Sequence, residues 1–352
     1  MATTLATRAW RPSAAENIDD DLAALWREVA REAPVSRAVM SNLVVFCRSA
    51  AGDDVDLASS PEGVPIDDVA RNHPARIILL HHDPDAPGEN AAPGTPLGLA
   101  AHVGVLTFGP PDARYGVEQI VIRSACGETA LPSIVRRFTL GDLPTSVWWT
   151  EDLSGTRLLA PLVTMGRQLL YDSRRWRDVR DAVLALAPLL SDPFGPDLAD
   201  VNWRRLLPVR QALVHAVASS GAAKRERLTS VSIRHRRGEA ALAWLLAGWL
   251  HHVWGPPSGG PIRLKPDPTV ITVDEDPGLV DDVLTASFDD GLTVRLASHR
   301  VSIDDPLGPA PFAVAVPSET EAEAVAAELS VLTHDVSLHN TLAALVDRLG
   351  SV

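Results

Sequence analysis

Several residue types are scarce in this sequence. Its 352 residues include two cysteines, Cys47 and Cys126, three methionines and two tyrosines. Two cysteines make no disulfide framework, and both are expected as buried thiols that behave as small hydrophobes. Basic residues are in deficit, 32 Lys and Arg against 45 Asp and Glu, for a net charge of −13. Nucleic acid and an anionic membrane are therefore not expected as partners. Long apolar runs are missing too. The strongest, residues 240–250, falls short of the roughly 20 that span a bilayer. The opening MATTLATRAW lacks the charged start and apolar stretch of a signal peptide, which points to the cytoplasm. Local catalytic signatures are absent as well: no GxGxxG after a strand, no GxxxxGK[ST], no GxSxG and no HExxH. No catalytic residue, metal ligand or cofactor is assigned from the sequence.

Tryptophan is plentiful, with nine against six Phe. The chain is organised around residues 139–152, TLGDLPTSVWWTED. A turn feeds a short strand, residues 145–150, and two acids follow. Adjacent strand residues point to opposite faces, so Trp148 and Trp149 cannot share one core. Either the chain's own helices cover both faces, as in a doubly covered parallel sheet, or one indole meets a partner, where Trp is enriched at hot spots.

In chain order, residues 16–31 read as an amphipathic helix with three Asp in its first turn. Residues 38–47 and 76–80 read as strands, with a short helix at 65–71 between them. Residues 83–96, rich in Pro, Gly and Asp, read as a loop. Strands at 99–108 and 117–124 are joined closely enough for an antiparallel hairpin. A helix at 130–138, the Trp strand, a weak helix at 156–164, a strand at 167–171 and a helix at 176–190 complete an α/β pattern with a largely parallel, mixed sheet flanked by helices. The segment 191–200, SDPFGPDLAD, is the preferred boundary, giving an N-terminal α/β domain at 1–190 and a smaller α+β domain at 191–352. The second part is expected to hold helices at 208–219, 239–253, 320–332 and 337–349, a strand at 228–235 and a linker at 254–268. It also holds a hairpin around Asp289-Asp290-Gly291. Gly248 on the second of those helices permits close approach of a neighbour.

Ligands in open α/β sheets sit beyond the C-terminal strand ends. His82, Asp83, Asp152 and Asp172 are the candidates there, for acid/base or metal chemistry. Strand ends are also polar simply because they meet water. The basic run IRHRRGE, residues 233–239, could bind a phosphate or an acidic partner, and such a run is equally a common solvated loop.

An ordered set of segments adds a resemblance. SNLVVFC, HPARIILL, VEQIVIRS, LPSIVRRFTLGDLPTSVWWTED, RQLLYDSRRW, DLADVNWRRLLPVRQAL and SVSIRHRRGEAALAWLLAGWL together resemble the glucose-6-phosphate dehydrogenase assembly protein (OpcA) family, from about Ser41 to Leu250. Trp148, Trp149, Arg167, Asp172, Ser173, Trp203, Arg204 and Trp249 match its pattern. The resemblance implies a non-catalytic partner of glucose-6-phosphate dehydrogenase, an assembly factor or allosteric effector in the oxidative pentose phosphate pathway. It carries over no catalytic residue and implies no cofactor. Trp148, Trp149, Trp176 and Trp203 are the expected partner-interface candidates, with Trp10 and Trp254 as further possible anchors. The alternative is a sugar-phosphate sensor or enzyme using the polar strand ends.

Overall fold

The computed structural model describes residues 7–48, 63–83, 100–110, 112–124, 128–219, 230–254, 270–306, 308, 310–331 and 333–350. Cys126, the expected loop at 84–96, the expected linker at 255–268 and the side chain of Trp254 lie outside them. The chain opens with β1 (Thr7–Ser13), α1 (Ile18–Glu32), β2 (Ser36–Arg37), β3 (Ser41–Arg48), α2 (Ile66–Asn72) and β4 (Ala75–His82). There follow β5 (Ala100–Phe108), β6 (Tyr115–Ser124), α3 (Leu131–Phe138), β7 (Thr145–Trp149), α4 (Ala160–Val163), β8 (Gln168–Tyr171), α5 (Val179–Leu190) and β9 (Asp197–Asp200). These strands form one sheet in the order β1-β5-β6-β4-β3-β7-β8-β9, with β2 beside β6. β6, β4, β3, β7, β8 and β9 run parallel. β5 is antiparallel to both neighbours, and the expected hairpin is the β5–β6 pair.

A second run contains α6 (Leu207–Ser219), β10 (Ser230–His235), α7 (Ala240–Trp254), β11 (Val270–Glu275), β12 (Asp282–Phe288), β13 (Thr293–Ala297), β14 (Arg300–Asp304) and β15 (Phe312–Ala315). Its strands form a sheet in the order β11-β10-β12-β13-β14-β15, parallel only at β10–β11. The Asp-Asp-Gly hairpin joins β12 to β13. Gly291 takes a φ of +89°, and its N–H donates to the Phe288 carbonyl at 3.0 Å. Helices α8 (Glu321–Ser330) and α9 (Val336–Gly350) close the chain. The fold is mixed α/β, a mostly parallel sheet flanked by helices beside a second sheet.

Continuous apolar strands dictate a sheet covered on both faces. Every residue of β4 is buried. On β7, Trp149 stacks on Phe46, its register partner on β3, with ring centroids 4.1 Å apart and planes 9° apart. Trp148 lies on the other face with Val45 and Leu170. Helices α1, α3 and α5 cover the Trp149 face, while α2 and α8 cover the Trp148 face. Trp148 and Trp149 are therefore at most 1% exposed, and Trp203 and Trp176 are 3% and 8% exposed. The expectation of an exposed indole among these four is corrected: the chain's own helices cover them.

Five further strands escaped the sequence reading: β1, β2, β11, β14 and β15. So did β9, which occupies part of the segment read as a boundary. β1 is an edge strand, the place in a sheet where a proline such as Pro12 is tolerated. The division at 190/191 falls between α5 and β9. β9 joins the first sheet, α8 packs against α2, and α9 packs against α5 and α7.

Helical spacing puts Leu242, Leu245, Leu246, Trp249, Leu250 and Val253 of α7 on one stripe; the first five are buried and Val253 is half-buried, and Gly248 lies under α9. A Cβ at Gly248 would stand 2.7 Å from Leu345 Cγ and 2.9 Å from the Thr341 carbonyl oxygen. Gly248→Ala should therefore cost about 1–3 kcal/mol through overpacking, despite the better helix propensity of Ala. A urea-unfolding midpoint unchanged or raised would contradict this packing.

Candidate functional site

The parallel strands bring their C-terminal ends to one edge, and the sequence candidates are all found there. They do not converge. β3 and β7 separate β4 from β8, so His82 and Asp83 lie three strand spacings, about 14 Å, from Asp172. Each carboxylate is also spent locally. Asp152 accepts from the Ser154 amide and hydroxyl at 2.9 and 2.7 Å. Asp172 accepts from the Arg174 amide at 3.0 Å and from its guanidinium at 2.6–3.0 Å. Asp83 faces Arg123 at 3.6 Å. Burial pushes His81 down to about 4, helped by Arg123, and burial likewise lowers His82. Neither imidazole is set up to gain a proton near neutrality. Among the described residues no group of three or more His, Cys, Asp or Glu could hold a metal ion. Cys47 is buried and accepts from the Thr150 hydroxyl at 3.4 Å. Burial pushes its thiol up to about 12, which keeps it protonated and unreactive.

The sequence reading missed Asp200, the end of β9. It pairs in register with Tyr171 and is 1% exposed. Its Oδ1 accepts from the Ser173 and Asn202 amides at 3.0 and 2.9 Å. Nothing local in DLADVNW marks it, because its burial is set by strand order.

Beyond β9 the chain makes a 3-10 turn, Asn202–Leu206, and this turn lines a cleft of about 970 Å³ between the first sheet, the second sheet and α8. Trp203 is held by two contacts: its indole N–H donates to Asp335 at 2.9 Å, and the Arg210 guanidinium lies 3.8 Å above its ring. Arg204 forks to Glu319 at 2.8 and 2.9 Å and reaches Glu328 at 2.9 Å. Hydrogen bonds to Glu319 and Glu328 push the Arg204 guanidinium further up, against burial. Arg205 and Arg236 share Glu239, at 2.7 and 3.4 Å. The basic run of residues 233–239 thus supplies part of this cleft. Gly238, with a φ of +83°, turns the backbone so that the Glu239 amide donates to the Arg236 carbonyl at 3.1 Å.

Burial, then the neighbouring Asp172 charge, push the Asp200 carboxyl up to about 7 from an ordinary 3.8. Between those two values the folded chain keeps a proton that the unfolded chain has released. Stability from this group is therefore full below about pH 4, falls as pH rises toward about 7, and is level above that. Asp200→Asn should flatten that slope, since its amide oxygen can still accept from both backbone N–H groups. Urea midpoints between pH 4 and 8 measure it. A variant with the parent's slope would overturn the assignment.

Comparison with known proteins gives the remaining findings. Among solved structures, one described as an oxidoreductase from Magnetospirillum magnetotacticum MS-1 aligns at 11% identity. It covers 89% of this chain and 99% of that one, with a TM-score of 0.45. Apo scyllo-inositol dehydrogenase from Lactobacillus casei aligns at 12% identity over 88% and 95%, with a TM-score of 0.35. At these scores neither likeness carries an argument. No curated protein matches the chain. Two family models do match. One described as the glucose-6-phosphate dehydrogenase subunit N-terminal domain covers residues 66–188. The other, the C-terminal domain of the same subunit, covers residues 196–342. With both halves matched in tandem, the chain belongs to the glucose-6-phosphate dehydrogenase assembly protein (OpcA) family.

Proposed function

We propose that this chain is a non-catalytic partner of glucose-6-phosphate dehydrogenase, acting as an assembly factor or allosteric effector in the cytoplasm. The tandem match to both domains of a dehydrogenase subunit carries the reading. The strand-end geometry is consistent with it, because Asp152 and Asp172 serve as caps and ion-pair partners rather than converging on a substrate. The mechanism is thermodynamic. A partner that binds one oligomeric or conformational state better than another shifts the population toward it. A coupling of about 1–3 kcal/mol changes substrate affinity about 5- to 150-fold, and the substrate must strengthen the partner's binding by the same factor.

Burial of the four expected indoles moves the search for contact residues to other apolar side chains. Phe194 is 92% exposed, in the turn between α5 and β9. The purified chain is to be mixed with the dehydrogenase of the same cell, and oligomer size and the substrate dependence of the rate measured together. Co-elution with a shifted half-saturation point or maximal rate is expected. A mixture that elutes as two separate species, with unchanged kinetics at micromolar concentration, would sink the proposal. Trp148→Ala should lower stability by about 3–5 kcal/mol through core loss, with any loss of partner effect following from unfolding.

A further inference from the structure

The ion pairs of the cleft beside β9 share their charges unevenly. At one side two guanidiniums, Arg205 and Arg236, face a single carboxylate, Glu239. Both are partly exposed, at 31% and 39%, and both line the cavity. At the other side one guanidinium, Arg204, faces two carboxylates, Glu319 and Glu328. One of these ion-pair groups thus has a cation in excess and the other a carboxylate in excess. Its volume, about 970 Å³, lies at the upper end of the usual range for small-molecule sites. Planar guanidinium forks suit phosphate, which they bind bidentately. Carboxylates with spare lone pairs accept from hydroxyl groups. A free inorganic anion would use the first feature only, and a neutral sugar the second only.

We propose that this cleft binds a phosphorylated sugar, with its phosphate on Arg205 and Arg236 and its hydroxyls toward Glu319 and Glu328. The site is distinct from the strand-end cluster of His82, Asp83, Asp152 and Asp172. It is built instead from the 3-10 turn after β9, the turn before α7, and α8 with the segment leading into it. Binding would tie these three segments together. The proposal goes beyond the partner reading and does not depend on it.

Calorimetry on the full-length chain tests it, with glucose 6-phosphate, glucose and inorganic phosphate as probes in low-salt buffer. Saturable binding of glucose 6-phosphate is expected, with inorganic phosphate at least about tenfold weaker and glucose weaker still. Arg236→Gln leaves the Arg205–Glu239 pair in place, so the fold should survive, which a thermal melt checks. That variant should bind glucose 6-phosphate about tenfold more weakly. Absence of saturable heat at millimolar ligand overturns the proposal. So does equal affinity for inorganic phosphate and the sugar ester, or an Arg236→Gln variant that melts and binds as the parent does. Because the dehydrogenase is absent from the experiment, failure here leaves the partner reading untouched.

Discussion

The structure depends on one constraint: the central strands of the first sheet are apolar on both faces, and both faces must be kept dry. Burying one large apolar side chain contributes about 1.5–3 kcal/mol, so neither face can be left open. Covering the Trp149 face uses helices from the same half of the chain. Covering the Trp148 face does not. Ala322, Val325 and Leu329 of α8 close it together with Ile66 and Val69 of α2. Polar contacts seal the same seam. The Gln168 side-chain amide donates to the Glu328 carbonyl at 3.1 Å. His73 sits between the Ser41 and Ser330 hydroxyls, at 3.0 and 3.3 Å. The two halves matched by separate family models are thus parts of one hydrophobic unit.

Charges inside this unit follow the rule that a buried ion must be paired. Glu118, 2% exposed, receives Arg76 at 2.6–2.7 Å, Arg37 at 2.9 Å and the Trp26 indole N–H at 2.8 Å. It thereby fixes α1 to the sheet. Such a cluster adds little net stability over an apolar equivalent, yet losing one member would strand the rest. Asp200 is the exception. Burial, then the like charge of its neighbour Asp172, pushes its carboxyl toward neutrality, against the hydrogen bonds it accepts from the Ser173 and Asn202 amides.

Much of this was legible in the residues. The alternation of strands and helices up to residue 190, the stripe of α7, the role of Gly248 and the Asp-Asp-Gly hairpin all rest on local pattern, and local pattern is what a sequence displays. Most of what escaped has one cause. β1, β9, β11 and β15 are edge strands, whose composition reflects one neighbour and some solvent rather than a continuous apolar run, while β14 lies inside the second sheet and is five residues long. The Trp pair was rightly divided between two faces, but the covering of the Trp148 face by α8 is a contact between residues far apart in sequence. The strand-end cluster was correctly placed at one edge. Its failure to converge follows from strand order, which places β3 and β7 between the His82 and Asp172 strands. The cleft was invisible for the same reason, since the basic run and the Arg204–Arg205 turn meet only after folding.

The union of α2 and α8 also has a bearing on synthesis. His73 and Ser330 are 257 residues apart. At a synthesis rate of about 5–20 residues per second, the ribosome takes roughly 13–50 seconds to travel between them. The first sheet is complete once β9 ends at Asp200, and α8 ends at Ser330; for the roughly 7–26 seconds between them, the part of the Trp148 face that α8 closes has no native cover. A nascent chain in this condition is a natural client for holding chaperones, and its closing helix is the last part but one to emerge. Truncation anywhere before residue 320 would leave the amino-terminal half with an open apolar wall.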